Sequence, residues 1–122
     1  MIGLLLTAVS VLGMTDQELA DEQRIYARNA ESVAVAEKGW AEERCAEQTP
    51  PVDPQTVQTY VVGVMKLNEG NAYYHNGLLA YYENPPDYDW AIIWWALAES
   101  RYNDAATCFE NVFPGPPEPP DP

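Results

Sequence analysis

Residues 60–112 read YVVGVMKLNEGNAYYHNGLLAYYENPPDYDWAIIWWALAESRYNDAATCFENV, and their spacing decides the fold. Tyr60, Leu67, Tyr74, Tyr81, Tyr88, Trp95, Tyr102 and Phe109 recur at every seventh position. Three residues after each large side chain, with one gap at the Pro-rich turn, comes a small one: Gly63, Gly70 and Gly77, then Ala91, Ala98, Ala105 and finally Val112. A heptad of bulky beside small is the signature of helices packed along a seam, with rings as knobs and small residues as the holes that receive them. A glycine inside a helix costs about 1 kcal/mol relative to alanine. Three glycines at regular spacing are therefore expected only where close packing offsets that loss.

Proline sets the ends of the helices. Asn84-Pro85-Pro86-Asp87 interrupts the heptad and leaves Asp87 as an N-cap, because proline fixes φ and removes a donor. Thr49-Pro50-Pro51-Val52-Asp53-Pro54 makes a second break upstream. Between the breaks, helices are expected at about 55–83 and 88–113. Before them, Thr15-Asp16-Gln17-Glu18 has the form of a capping box and opens a helix reaching about residue 48. Leu19, Tyr26, Val33 and Trp40 also recur every seven residues there, and predict that helix's seam, with Ala30 between them. The expected fold is all-α: one bundle of three long helices over residues 15–113, with an apolar segment at 1–14 and a Pro-rich tail at 114–122.

Two segments outside the seam call for neighbours. Trp90 to Ala98 is apolar on every side, and a helix apolar all round must be surrounded. Trp90, Trp94 and Leu97 lie off the seam and are expected at an interface, or under a short fourth helix formed by residues 2–14. That stretch carries Ile2, Leu4, Leu5 and Leu6 and no charge. It is shorter than the roughly 20 apolar residues needed to span a bilayer. It reads either as a signal-like h-region without the usual basic start, or as an apolar helix end buried against other subunits. The tail Pro114–Pro122 is compatible with polyproline II or disorder, and with neither helix nor strand.

At 122 residues the chain is one domain, 47% hydrophobic and 11% aromatic, with a formal net charge of −13. That charge argues against phosphate-directed binding of nucleic acid and against anionic lipid. The acids are dispersed among apolar stripes, so an inhibitor mimicking DNA is a lesser alternative. Chemistry has little foothold. His75 is the single histidine, and the serines lack a nucleophile-elbow context. No Glu-x-x-His pair or clustered glycine loop is present, and two cysteines with one histidine fall short of a zinc site. No catalytic, cofactor or metal residues are assigned. In an up-down-up bundle Cys45 and Cys108 would share a pole. A disulfide there, closing a loop of roughly 60 residues, would contribute about 4 kcal/mol and imply an oxidising, extracellular or virion setting.

Gly70-Asn71-Ala72-Tyr73-Tyr74-His75-Asn76-Gly77 resembles the first helix of a tetratricopeptide repeat, with glycines seven apart and a tyrosine between. Asp87-Tyr88-Asp89-Trp90-Ala91 is similar to the start of that repeat's second helix, with Trp95 and Ala98 at the large and small positions that follow. The sequence departs from the pattern at Lys66, Glu69 and Asn103. The resemblance implies a peptide-binding or assembly scaffold, with Tyr73 and Trp94 facing the peptide. The residues themselves point first to a non-catalytic structural subunit, a homo-oligomer or a component held by fixed protein partners, as in a filament, a virion or a larger complex.

Overall fold

A computed structural model describes residues 13–47 and 53–113. Within them lie three helices, α1 (Asp16–Ala46), α2 (Pro54–Tyr81) and α3 (Tyr88–Glu110). The fold is an all-α three-helix bundle. The proposed fourth helix, including Ile2, Leu4, Leu5 and Leu6, and the tail 114–122 lie outside the described residues.

The helix starts follow the local chemistry. Thr15 Oγ1 accepts from the Glu18 backbone N–H at 3.1 Å, and Glu18 Oε1 accepts from the Thr15 N–H at 3.2 Å, so the capping box is complete. Asp87 accepts from the Trp90 N–H at 3.1 Å. Helix α2 starts with Pro54, whose missing N–H is no loss in a first turn. The α3 C-terminus is capped by another helix. Arg44 of α1 donates to the carbonyls of Phe109 at 2.7 Å and Val112 at 2.9 Å, placing a cation at the negative end of α3. Thr56 of α2 donates to the Phe113 carbonyl at 2.9 Å.

Helix α3 lies between the other two and packs along both, whereas α1 and α2 scarcely touch through their backbones. The α2–α3 seam has a reciprocal register. A Cβ added to Gly63 would sit 2.6 Å from the Phe109 ring, and one added to Gly70 would sit 2.6 Å from the Tyr102 ring. One added to Gly77 would overlap the Trp95 indole. Each pair lies seven residues back on α3 as α2 advances by seven, so the helices run antiparallel. The same register sets Tyr81, Tyr74 and Leu67 of α2 opposite Ala91, Ala98 and Ala105 of α3. Bulk on either helix therefore faces a small residue on the other. Every seam residue from Tyr60 to Phe109 is buried or half-buried, and Trp95, Tyr102 and Phe109 are fully enclosed. The rings also meet one another, as in Tyr60–Phe109 with centroids 5.6 Å apart and Tyr81–Trp95 at 5.5 Å.

The expected α1 seam is corrected. Leu19 is buried, but Tyr26, Val33 and Trp40 are 46%, 52% and 55% exposed. The buried stripe is Ala20, Ala27, Ala34 and Ala41, a heptad displaced by one residue, with Ala30 and Gln23 beside it. The reason lies on α3. That helix presents bulk towards both neighbours, including Ile92, Trp95 and Tyr102, so α1 fits closely only through its smallest side chains. Its larger apolar residues are turned outward.

Candidate interaction surface

Between α1 and α2, where the backbones stay apart, polar side chains span the gap. Gln17, Arg24, Glu31 and Lys38 form a third α1 heptad. Gln17 donates to the Tyr81 hydroxyl at 3.2 Å, and that hydroxyl donates to Asp21 at 2.7 Å. Arg24 Nε donates to the Tyr74 hydroxyl at 2.8 Å and lies 5.6 Å from the Trp95 ring centroid. The Tyr102 hydroxyl bonds Asn71 at 2.7 Å and Glu31 at 3.3 Å, so one phenol joins all three helices. Lys38 sits over Tyr60 at 5.9 Å. A polar residue every seventh place on α1 was the available signal for this ladder, and the tyrosines' seven-residue spacing was its complement. The tyrosines act twice, as knobs through their rings and as bridges through their hydroxyls.

Burial, then the nearby charge of Glu31 and its hydrogen bond, hold the Tyr102 phenol neutral well beyond its ordinary pKa of 10.0. The unfolded chain ionises near 10 while the folded chain keeps its proton. The stability contributed by the neutral phenol is thus complete below pH 10 and declines as pH rises above it, by about 1.4 kcal/mol per pH unit for one group. Tyr102→Phe is expected to lower stability at pH 7 by about 1 kcal/mol, through the lost hydrogen bonds, and to flatten the alkaline decline. Urea unfolding at several values between pH 7 and pH 11 measures both; parallel pH profiles for variant and wild type would contradict the assignment.

The two cysteines are both free and half-buried, so the expected disulfide is not formed. They share a pole but not a face. Cys45 continues the α1 polar heptad and lines a hollow with Thr56, Val57 and Tyr60 of α2. Cys108 lies seven residues after Arg101, which reaches across to Glu69 on another side of α2. Among the described residues no cluster of His, Cys, Asp or Glu is arranged to hold a metal, and His75 is exposed on the outer side of α2. Nor is any helix among them long and apolar enough to cross a membrane.

What remains conspicuous is apolar surface. On α1, Tyr26, Val33 and Trp40 form an exposed stripe about 100° round the helix from the alanines that follow each of them, and Ile25 is exposed beyond it. On α2, Val61, Met65 and Leu79 are exposed as well. On α3, Trp90 is 52% and Leu97 36% exposed, as expected for residues off the seam. Trp94 is half-buried, stacked on Tyr73 with centroids 5.7 Å apart, and Trp90 lies 5.9 Å beyond it. These three rings form a continuous aromatic platform along the α2–α3 edge. A shallow hollow of about 320 Å³ lies beside it, lined by Asn76, Leu79, Ala80, Glu83, Asp87 and the two tryptophans. No protein-family model, curated protein or solved structure matches the chain.

Proposed function

We propose that this protein is a non-catalytic assembly subunit, which works by packing against copies of itself or fixed protein partners. The observation that carries this reading is the outward heptad of α1. Tyr26, Val33 and Trp40 repeat with the regularity of a packing seam, yet the bundle leaves them exposed. Together with the outward residues of α2 and α3, they exceed the scattered single exposures usual on a monomer's surface. A high negative charge opposes indiscriminate aggregation, so association would depend on matched apolar faces.

Light scattering across a concentration series tests this. Association is expected to rise with concentration, and Val33→Glu with Trp40→Glu is expected to weaken it while helical content stays unchanged. A wild-type chain that remains monomeric at high concentration would contradict packing against copies of itself and leave fixed protein partners as the only form of the assembly reading. A second reading, a tetratricopeptide-like adaptor that binds a peptide, is favoured by the stacked Tyr73–Trp94 pair. It predicts a monomer whose tryptophan fluorescence responds to peptide.

A further inference from the structure

We propose that the hollow beside Trp90 and Trp94 binds an arginine side chain of a basic protein partner. This rests on the assembly reading in its fixed-partner form and names the partner's chemistry. The hollow, about 320 Å³, lies where the end of α2 meets the start of α3. Two kinds of wall meet in it. One is aromatic, formed by Trp90 and Trp94, whose ring centroids are 5.9 Å apart and whose planes are inclined at 34°. Trp90 is 52% exposed, so its ring is open to an incoming group. The other wall is anionic and comes from Glu83 and Asp87. Indole beside carboxylate suits a guanidinium, which is attracted to the ring, stacks on it as a plane and donates several N–H groups at its edge.

These groups are held in place by the fold. Asp87 is the N-cap of α3, where its Oδ1 accepts from the Trp90 N–H at 3.1 Å, and a carboxylate has acceptor capacity beyond that one bond. Trp94 is stacked on Tyr73 with centroids 5.7 Å apart. Leu79 and Ala80 bring the last turn of α2 to the hollow, and that turn contains no basic residue to offset the negative end of its dipole. The positive start of α3 is already met by Asp87 and Asp89. A second hollow shares Glu83 and Asp87 and adds Asp16 and Asp89. Among the described residues no base lines either one. A partner with one arginine over the tryptophans would thus bring a neighbouring base towards Asp16 and Asp89.

Charge also selects a different protein over a second copy. The chain has six basic residues against 19 acidic ones. Arg24 donates to Tyr74, Lys38 pairs with Glu42, Arg44 caps α3, and Arg101 pairs with Glu69 and Asp104. A copy would have Arg28 and Lys66 left to offer, on a chain whose net charge of −13 repels the acidic pole it would approach. A protein with clustered arginines meets attraction there instead, which also speeds its encounter.

The test titrates the full chain, by isothermal calorimetry, with a short synthetic peptide of alternating arginine and glycine. The same peptide with lysine or uncharged citrulline for arginine, and free arginine, are the comparisons. Wild type is expected to bind the arginine peptide, to bind the lysine peptide at least about threefold more weakly, and to bind the citrulline peptide not measurably. Trp90→Ala removes one aromatic wall without changing the charge and is expected to weaken binding at least about fivefold. Glu83→Gln is expected to weaken it and to make it less sensitive to salt. Glu43→Gln, at an exposed acid of the opposite pole, is expected to leave it unchanged. If Trp90→Ala binds as wild type does, or Glu43→Gln weakens binding as much as Glu83→Gln, the attraction is that of an acidic chain at large and this inference fails. Free arginine bound as tightly as the peptide would overturn a protein partner and, in a chain that stays monomeric, the assembly reading with it. A chain that self-associates in light scattering yet ignores the arginine peptide ends this inference and leaves the assembly reading standing.

Discussion

Trp95→Ala is expected to lower the free energy of unfolding by about 4 kcal/mol, as for large-to-small changes at fully enclosed aromatic sites. The Trp95 side chain is 0% exposed. Its indole fills the space left by Gly77, and its Nε1 donates to the Tyr74 carbonyl at 3.0 Å. Arg24 packs over it from α1, so the one side chain bonds all three helices. Truncation leaves a cavity, a cation without its ring and a carbonyl without its donor. Domains of this size have total stabilities of only about 5–15 kcal/mol, so the variant should be close to unfolding at room temperature. Trp40→Ala provides the contrast. Trp40 is 55% exposed on the outer face of α1, and its loss should change monomer stability by no more than about 0.5 kcal/mol. Urea unfolding followed by circular dichroism distinguishes the two; equal losses would mean that the register described for α1 is wrong.

Gly70→Ala is expected to destabilise the protein by about 2 kcal/mol, although alanine is the better helix former by about 1 kcal/mol. The new Cβ would sit 2.6 Å from both the Cδ1 and Cε1 atoms of Tyr102, a ring held by its own hydrogen bonds and unable to retreat. Gly39→Ala is expected to have the opposite sign, a gain of about 1 kcal/mol, because nothing lies within 4 Å of its added Cβ on α1. Identical chemistry at two helical positions thus separates a packing glycine from an incidental one. Thermal melts of the two variants at one concentration and pH provide the comparison, and a stabilised Gly70→Ala would remove the basis for the close α2–α3 approach.

The contrast between those glycines also explains what was legible in the sequence. Gly63, Gly70 and Gly77 share a heptad with rings, and the two periodicities specify each other; the α2–α3 seam could be read in full. The capping box at Thr15 and the N-cap at Asp87 were equally clear, because local hydrogen bonds determine them. On α1 two heptads ran side by side, one of Leu19, Tyr26, Val33 and Trp40, the other of alanines. Hydrophobicity favoured the first, and steric fit against α3 selected the second. That choice depends on the partner's relief, which periodicity within α1 does not contain. The same holds for Cys45 and Cys108. Helix direction brings them to one pole, but rotation about each helix axis puts them on different faces. Arg44 as the cap of α3 depends likewise on tertiary placement. Of the candidate surface, Trp90, Trp94 and Leu97 could be found from the all-round apolar run. The outward stripe of α1 emerged only once the alanines had taken the inner face.

The most direct test of the reciprocal seam is a double-mutant cycle on Gly63 and Phe109. Gly63→Ala places a methyl group against Cδ1, Cε1 and Cζ of the Phe109 ring, and Phe109→Leu removes the outer ring atoms it meets. Unfolding free energies are measured for wild type, both single variants and the double variant. If bulk on α3 is matched to absence of bulk on α2, the double variant should lose less than the sum of the singles, by at least about 1 kcal/mol. Additivity to within about 0.3 kcal/mol would contradict the account, because the two residues would then not share one space.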